Sequence, residues 1–380
     1  MSAEELDDDE IVDLYEYIVD REPSYEGIKE EFVDEVWEKT DDGDEFRVRI
    51  ERGIREARSH DNLLESAISV FLPQGTVHSE TGWKFLGAEP LSELNVPNAD
   101  LIIGNEERNL AVIVECKSGL SRPGKALTQL YDAADAVREH QDRLEENIGM
   151  GIADFECAIC VSSTDDVRIT REIEDHERRG LARERVFVWR LHYLENGEQL
   201  DLFTRIETRS SGEEAHDNQL AQVLRGGVDI TKDEHATPSF FPSSHLYRVM
   251  EEVFSTILTR REVSDEPIRH FAGEEVLEIL TDQRHLPHYD ADQIGARMYG
   301  ELMDRMLDFD LITRIDAGDT DLEGDGDFYR YRGRGRSMAT ILSDICGGYR
   351  EEAVEWEVEL EAMRRTVDQF DEEQSRIGDF

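Results

Sequence analysis

The sequence predicts an α/β protein, in which a mixed sheet flanked by helices is joined to a mainly helical C-terminal region. Three observations carry this expectation. Between residues 51 and 206, short runs rich in Val, Ile and Phe alternate with helical patterns. One of those runs, LAVIVECK, is apolar until its last three residues and reads as a buried strand. Beyond residue 241 the periodicity is helical, apart from two short strand candidates around an Asp/Gly-rich tip.

Residues 1–50 hold short acidic amphipathic helices such as EEFVDEVWEKT, expected to form an N-terminal cap. SHDNLLESAISVFL then places Leu63, Leu64, Ala67, Ile68 and Phe71 at helical spacing. The strands WKFLGAE, ADLIIG and LAVIVECK follow, with the turn GNEER between the last two. RPGKALTQLYDAADAVREHQDRL reads as a helix that begins with an early proline. ECAICVSS and RVFVWRLHYL are two more strands, separated by the helical REIEDHERRG. This order makes one α/β domain over residues 51–206. TRSSGEEAHDNQ lacks apolar periodicity and marks a linker, taken as residues 207–240. In residues 241–345, two helices precede a third marked by Ile294, Met298, Leu302, Met306 and Leu307, and a β-hairpin follows. Helices followed by a hairpin predict a winged-helix-like domain. Over residues 346–380, Trp356, Leu360, Met363, Val367 and Phe370 recur at steps of four and three. That seam suits either the body of the same chain or a partner helix, which would make a homodimer.

Composition limits the setting. The 380 residues carry 42 basic and 89 acidic side chains, a net charge of −47, and 38% hydrophobic residues, enough for real cores. Lysine occurs only at Lys29, Lys39, Lys84, Lys117, Lys125 and Lys232. Acidity spread along the chain, with lysine scarce, resembles proteins of salt-accumulating haloarchaea. It does not exclude a nucleic-acid partner, because at about 1 M salt the Debye length is roughly 3 Å. The N-terminal MSAEELDDDE is unlike a signal peptide, and no apolar stretch approaches the ~18 residues of a membrane span. A cytoplasmic protein without a membrane partner is expected. The four cysteines make no disulfide framework. Cys157 and Cys160 spell C-x-x-C inside a strand, where a spacing of three sends them to opposite faces as core residues instead of zinc ligands.

The chemistry lies at the end of LAVIVECK. Side chains alternate along a strand, so Glu115 and Lys117 share one face while Val114 and Cys116 take the other. A hairpin to the preceding strand brings Asp100 close to Glu115. Two carboxylates at that range repel unless a cation stands between them. Mg2+, with Mn2+ as the alternative, takes hard oxygen ligands of this kind and leaves positions for water and phosphate. A neighbouring lysine can then orient or activate the nucleophile. Asp100, fourteen residues, then Glu115-Cys116-Lys117 resembles the PD-(D/E)xK nuclease superfamily, and the element order over roughly residues 55–195 is similar to its restriction-endonuclease-like fold. The resemblance implies that Asp100 and Glu115 ligate the metal and that Lys117 assists the water. It also implies an acid from the first helix, matched by Glu65, and a weaker candidate in Gln129 on the helix after the motif. The family's Pro-Asp is Asn98-Ala99-Asp100 here, with the nearest proline at Pro97.

FYRYRGRGR places Arg330, Arg332, Arg334 and Arg336 two apart, with Phe328, Tyr329 and Tyr331 between or before them. On a strand these arginines form a positive stripe suited to a nucleic-acid backbone, or they pair with nearby carboxylates. The acidic tip DAGDTDLEGDGDF lacks the twelfth-position glutamate of a calcium loop and reads as a solvated turn. His285 and His288 flank a proline without a convincing third ligand. The expected function is that of a magnesium-dependent DNA endonuclease, in restriction, defence or repair. The alternative is a catalytically silent nuclease fold that binds DNA or regulates.

Overall fold

The structure, a computed structural model, describes residues 8–40, 43–73, 75–94, 96–162, 164–196, 201–209, 218–230, 244–264, 269–281, 291–320, 322, 326–333 and 337–378. In chain order its elements are α1 (Asp8–Arg21), α2 (Ser24–Lys39), α3 (Asp44–Val70), α4 (Thr76–Thr81), β1 (Lys84–Ala88), β2 (Leu101–Asn105), β3 (Leu110–Lys117), α5 (Pro123–Glu139), α6 (Gln141–Ile148), β4 (Asp154–Ser162) and α7 (Asp166–Arg179). They continue with β5 (Val186–Asn196), β6 (Asp201–Arg209), α8 (Asn218–Gly226), β7 (Val228–Ile230), α9 (Leu246–Ser264), β8 (His270–Ala272), α10 (Gly273–Thr281), α11 (Ala291–Asp308), β9 (Ile312–Ile315), β10 (Phe328–Tyr331) and α12 (Met338–Gly378). Two compact units emerge, one of residues 56–253 with 274–302, the other of residues 1–55, 254–273 and 303–380.

The first unit is mixed α/β. Its seven strands lie side by side in sequence order. β1, β2 and β3 pair antiparallel; β3, β4 and β5 pair parallel; β5, β6 and β7 pair antiparallel again. Parallel neighbours need crossovers, and α5 with α6, then α7, supply them. Helices cover both faces, so the central strands are apolar on both. On one face Val112, Val114 and Cys116 pack with Leu64 and Ala67 of α3 and with Phe71 just past its end. On the other, Ala111 and Ile113 pack with Leu127, Leu130 and Ala134 of α5. The alternation therefore puts Glu115 on the α5 side and Cys116 on the α3 side. Cys157 and Cys160 divide between the two cores in the same way, as free buried thiols.

The sheet does not stop at residue 206. β6 runs to Arg209, residues 210–217 lie outside the described ones, and α8 and β7 occupy 218–230, where a linker was expected. Leu220 and Leu224 of α8 join the α3-side core, two apolar positions four apart in a stretch too short for periodicity to register.

In the second unit β8, β10 and β9 form a three-stranded antiparallel sheet. Tyr329 and Tyr331 of β10 stack on Phe271 of β8 at 5.4 and 4.8 Å between ring centroids, so these aromatics belong to the core. The expected apolar seam exists on α12, and its occupant is the same chain. Leu360, Met363 and Val367 pack with Ile11, Tyr15 and Ile18 of α1 and Tyr25 of α2, and Phe370 meets Tyr25 edge-on at 5.4 Å. Leu360, Met363 and Val367 are thus covered within the chain, while Trp356 and Phe370 are half-buried, and nothing in these contacts supports a homodimer through that helix. Among the described residues no helix is long and apolar enough to cross a membrane.

Candidate active site

β2 and β3 pair with Leu101 opposite Val114. One step further along this antiparallel register, Asp100 stands across from Glu115. The Asp100 carboxylate is anchored there, because Oδ2 accepts the Cys116 backbone N–H at 2.6 Å. The loop leading to it is held by Asn98, whose Oδ1 accepts the Leu91 N–H at 3.2 Å. A side-chain hydrogen bond thus shapes the turn that a proline before the aspartate would otherwise shape.

Glu115 is 4% exposed. Two residues on, the half-buried Lys117 folds its Nζ onto Glu115 Oε1. Burial first, and then the Asp100 charge, push the Glu115 carboxyl up to about 8, against the pull of Lys117. Burial alone would lower the Lys117 pKa, but Glu115 and Asp100 together raise it, so the lysine is an ammonium. Glu89, just past β1, adds a smaller negative field at Glu115. Its φ of 45° lies in the left-handed region that few residues other than glycine adopt. Its N–H donates to the Asp100 carbonyl at 3.1 Å, which ties the end of β1 to the start of β2. Fully ionised, Asp100, Glu115 and Glu89 outweigh Lys117 by two charges, and the site is short of positive charge.

Neither a family model, nor a curated protein, nor a solved structure matches this chain. Asp100, Glu115 and Lys117 come together as the strand pattern predicted. Gln129, exposed on α5, lines the same cavity as Lys117. Glu65 is placed elsewhere. Its electrostatic neighbours are Asp61, Arg248 and Glu252, and burial, followed by Asp61, raises its carboxyl to about 7. The reason is the packing of α3, which covers the Cys116 face of the sheet and not the Glu115 face. Among the described residues no group of three His, Cys, Asp or Glu side chains converges on one metal position. Two carboxylates remain, within the usual provision for Mg2+, which keeps several waters.

The arginine run is divided. Arg330 is exposed on β10, Arg332 pairs with Asp310, and Arg334 and Arg336 lie outside the described residues, as do His285 and His288. Sequence reasoning missed Arg122 and Lys125, which line the cavity beside Lys117. Their signal was present in SRPGK, where two cations straddle a helix start in a chain poor in lysine.

Proposed function

We propose that the Asp100–Glu115–Lys117 cluster hydrolyses phosphodiester bonds of nucleic acid, in a restriction-endonuclease-like domain that depends on Mg2+ or Mn2+. One observation carries this reading: Asp100, Glu115 and Lys117 meet at one end of the β2–β3 pair, where burial and the Asp100 charge raise the Glu115 pKa to about 8. The site's deficit of positive charge, with hard oxygen donors, fits a divalent ion held by Asp100 and Glu115. Such an ion would offset charge on the phosphate oxygens and make the attacking water more acidic.

The chain's own groups do the rest. Asp100 is fixed by the Cys116 N–H and cannot swing away from Glu115 without breaking that bond. Lys117, whose pKa the Glu115 and Asp100 charges raise against the effect of burial, serves as a donor that orients the water or neutralises a phosphate oxygen. Water oxygen bonds to phosphorus, the bond to one ester oxygen breaks, and the products are a phosphomonoester and an alcohol. The order α9, β8, α10, α11, β9, β10, with its three-stranded sheet, supports a winged-helix-like reading of the C-terminal region. In that reading Arg330 faces the backbone of DNA. Restriction, defence and repair are the roles such an activity would serve.

The test is cleavage of plasmid, single-stranded DNA and RNA in high-potassium buffer with Mg2+, Mn2+ or EDTA. We expect metal-dependent cleavage that falls at least about 100-fold in Asp100→Ala and Lys117→Ala. Folded wild-type protein that is inert with both metals and still binds DNA would establish the silent binding module instead.

A further inference from the structure

Beside Lys117 lies a cavity of about 330 Å³, lined among others by Ser121, Arg122, Lys125 and Gln129, and by no aspartate or glutamate. In a chain with 89 acidic and 42 basic side chains, a lining with three cations and no acid is a departure that calls for an occupant. Pairing sharpens the point. Of the five lysines in the described residues, Lys29, Lys39, Lys84 and Lys117 each sit in an ion pair. Lys125 has no ion-pair partner among the described residues, and neither has Arg122; both side chains are exposed. The nearby Glu172 is turned to His176 at 3.4 Å and does not line the cavity.

The donors suit one chemistry. Arg122 offers a planar fork, Lys125 and Lys117 point charges, Ser121 a hydroxyl and Gln129 an amide, a set that matches the oxygens of a phosphate. The cavity also receives the N-terminus of α5, which starts with Pro123 and has no side-chain cap, so the helix dipole adds to the same field. The volume lies at the small end of ligand pockets and holds a phosphate with part of its sugar. Lys117 belongs to both the cavity and the carboxylate cluster.

We infer that this cavity is a phosphate subsite, in which Arg122 and Lys125 hold a strand phosphate next to the one presented to Asp100 and Glu115. The ligand class rests on the phosphodiesterase reading; the site itself rests on the cavity and its unpaired cations. The phosphate is either a terminal monoester or an internal diester, and these share the recognition chemistry. Arg122 and Lys125 are positioning residues, whose work is binding and register.

The experiment is equilibrium binding without metal, where no cleavage occurs. The full chain is titrated against a fluorescent ten-nucleotide single strand bearing either a 5′-phosphate or a 5′-hydroxyl, with inorganic phosphate as competitor. Arg122→Ala and Lys125→Ala should each weaken binding about 5- to 30-fold and reduce the salt slope by about one. Lys39→Ala, which removes an equal charge elsewhere, should change nothing. A preference for the 5′-phosphate that vanishes in both variants assigns the terminal group; equal losses with both strands assign an internal phosphate. Wild-type affinity in the folded Arg122→Ala/Lys125→Ala double variant, or an equal loss in Lys39→Ala, overturns the inference. If phosphate binding follows these expectations while cleavage is absent under every metal, the subsite stands and the hydrolytic reading falls.

Discussion

A carboxyl group half-buried on a helix must either stay neutral or find a cation, and Glu65 does neither completely. Arg248 lowers its pKa, but that guanidinium is shared: it reaches Glu251 at 2.6 Å, Glu252 at 3.3 Å and Asp61 at 3.4 Å. Burial and the Asp61 charge win, and the carboxyl titrates at about 7. The folded-state pKa is thus above the unfolded one, and the folded chain binds more protons than the unfolded chain between them. Stability from this group is full below about pH 4.3 and is lost as pH rises through about 7. Wild type should therefore lose urea resistance between pH 5 and pH 8, and Glu65→Gln should remove part of that loss, on the order of 2 kcal/mol. Identical pH profiles for the two proteins, followed by urea midpoints, would show that Glu65 does not titrate in this window. Glu115 titrates in the same direction, with its upper limit at about 8, so the profile of the Glu65 variant should flatten without becoming level.

At the level of elements, periodicity reported what is buried but not what it is buried against. The strands and helices of the α/β unit were legible because LAVIVECK and ECAICVSS fill both faces, while Leu63, Leu64, Ala67, Ile68 and Phe71 follow a helical period. Asp100, Glu115 and Lys117 were legible too, since strand alternation and a hairpin register fix their relation without reference to the rest of the fold. Glu65 was not, because a helical stripe does not state which sheet face its helix covers. Tyr329 and Tyr331 alternate with arginines, and only the pairing of β10 with β8 shows that they stack on Phe271. The α12 seam is the same kind of case. Leu360, Met363 and Val367 lie in one core with Ile11, Tyr15 and Ile18, and burial of each contributes about 1.5–3 kcal/mol. Leu360→Ala should thus destabilise the protein by about 2–4 kcal/mol in denaturant titrations, by an amount independent of protein concentration. A concentration-dependent midpoint would mean that the seam is completed by a second copy.

For the whole molecule the governing quantity is the net charge of −47. Like charges spread along a chain repel at long range, and this self-repulsion opposes the folded state, which brings them closer together. Salt shortens its reach, with a Debye length of roughly 10 Å at 0.1 M and about 3 Å at 1 M. Many of the ion pairs are local, such as Arg47 with Asp44 at 2.9 Å and Arg143 with Glu146 at 2.7 Å; exposed pairs of this kind contribute little and leave most acids uncompensated. Raising KCl from 0.1 to 1 M should accordingly lift the thermal midpoint steeply, on the order of 10 °C, which at about 2.1 cal/mol/K per residue corresponds to roughly 8 kcal/mol for a chain of 380 residues. Screening is nearly complete by then, so any further rise towards 3 M has another cause, the exclusion of salt from the protein surface, which sucrose reproduces without charge. The two regimes separate in one calorimetric series. A steep rise with KCl below 1 M and a weak response to sucrose over that range identify repulsion as the destabilising term. A midpoint that does not move with KCl would mean that the acidic surface is neutralised within the fold, and the charge would then set no limit on the conditions in which the protein works.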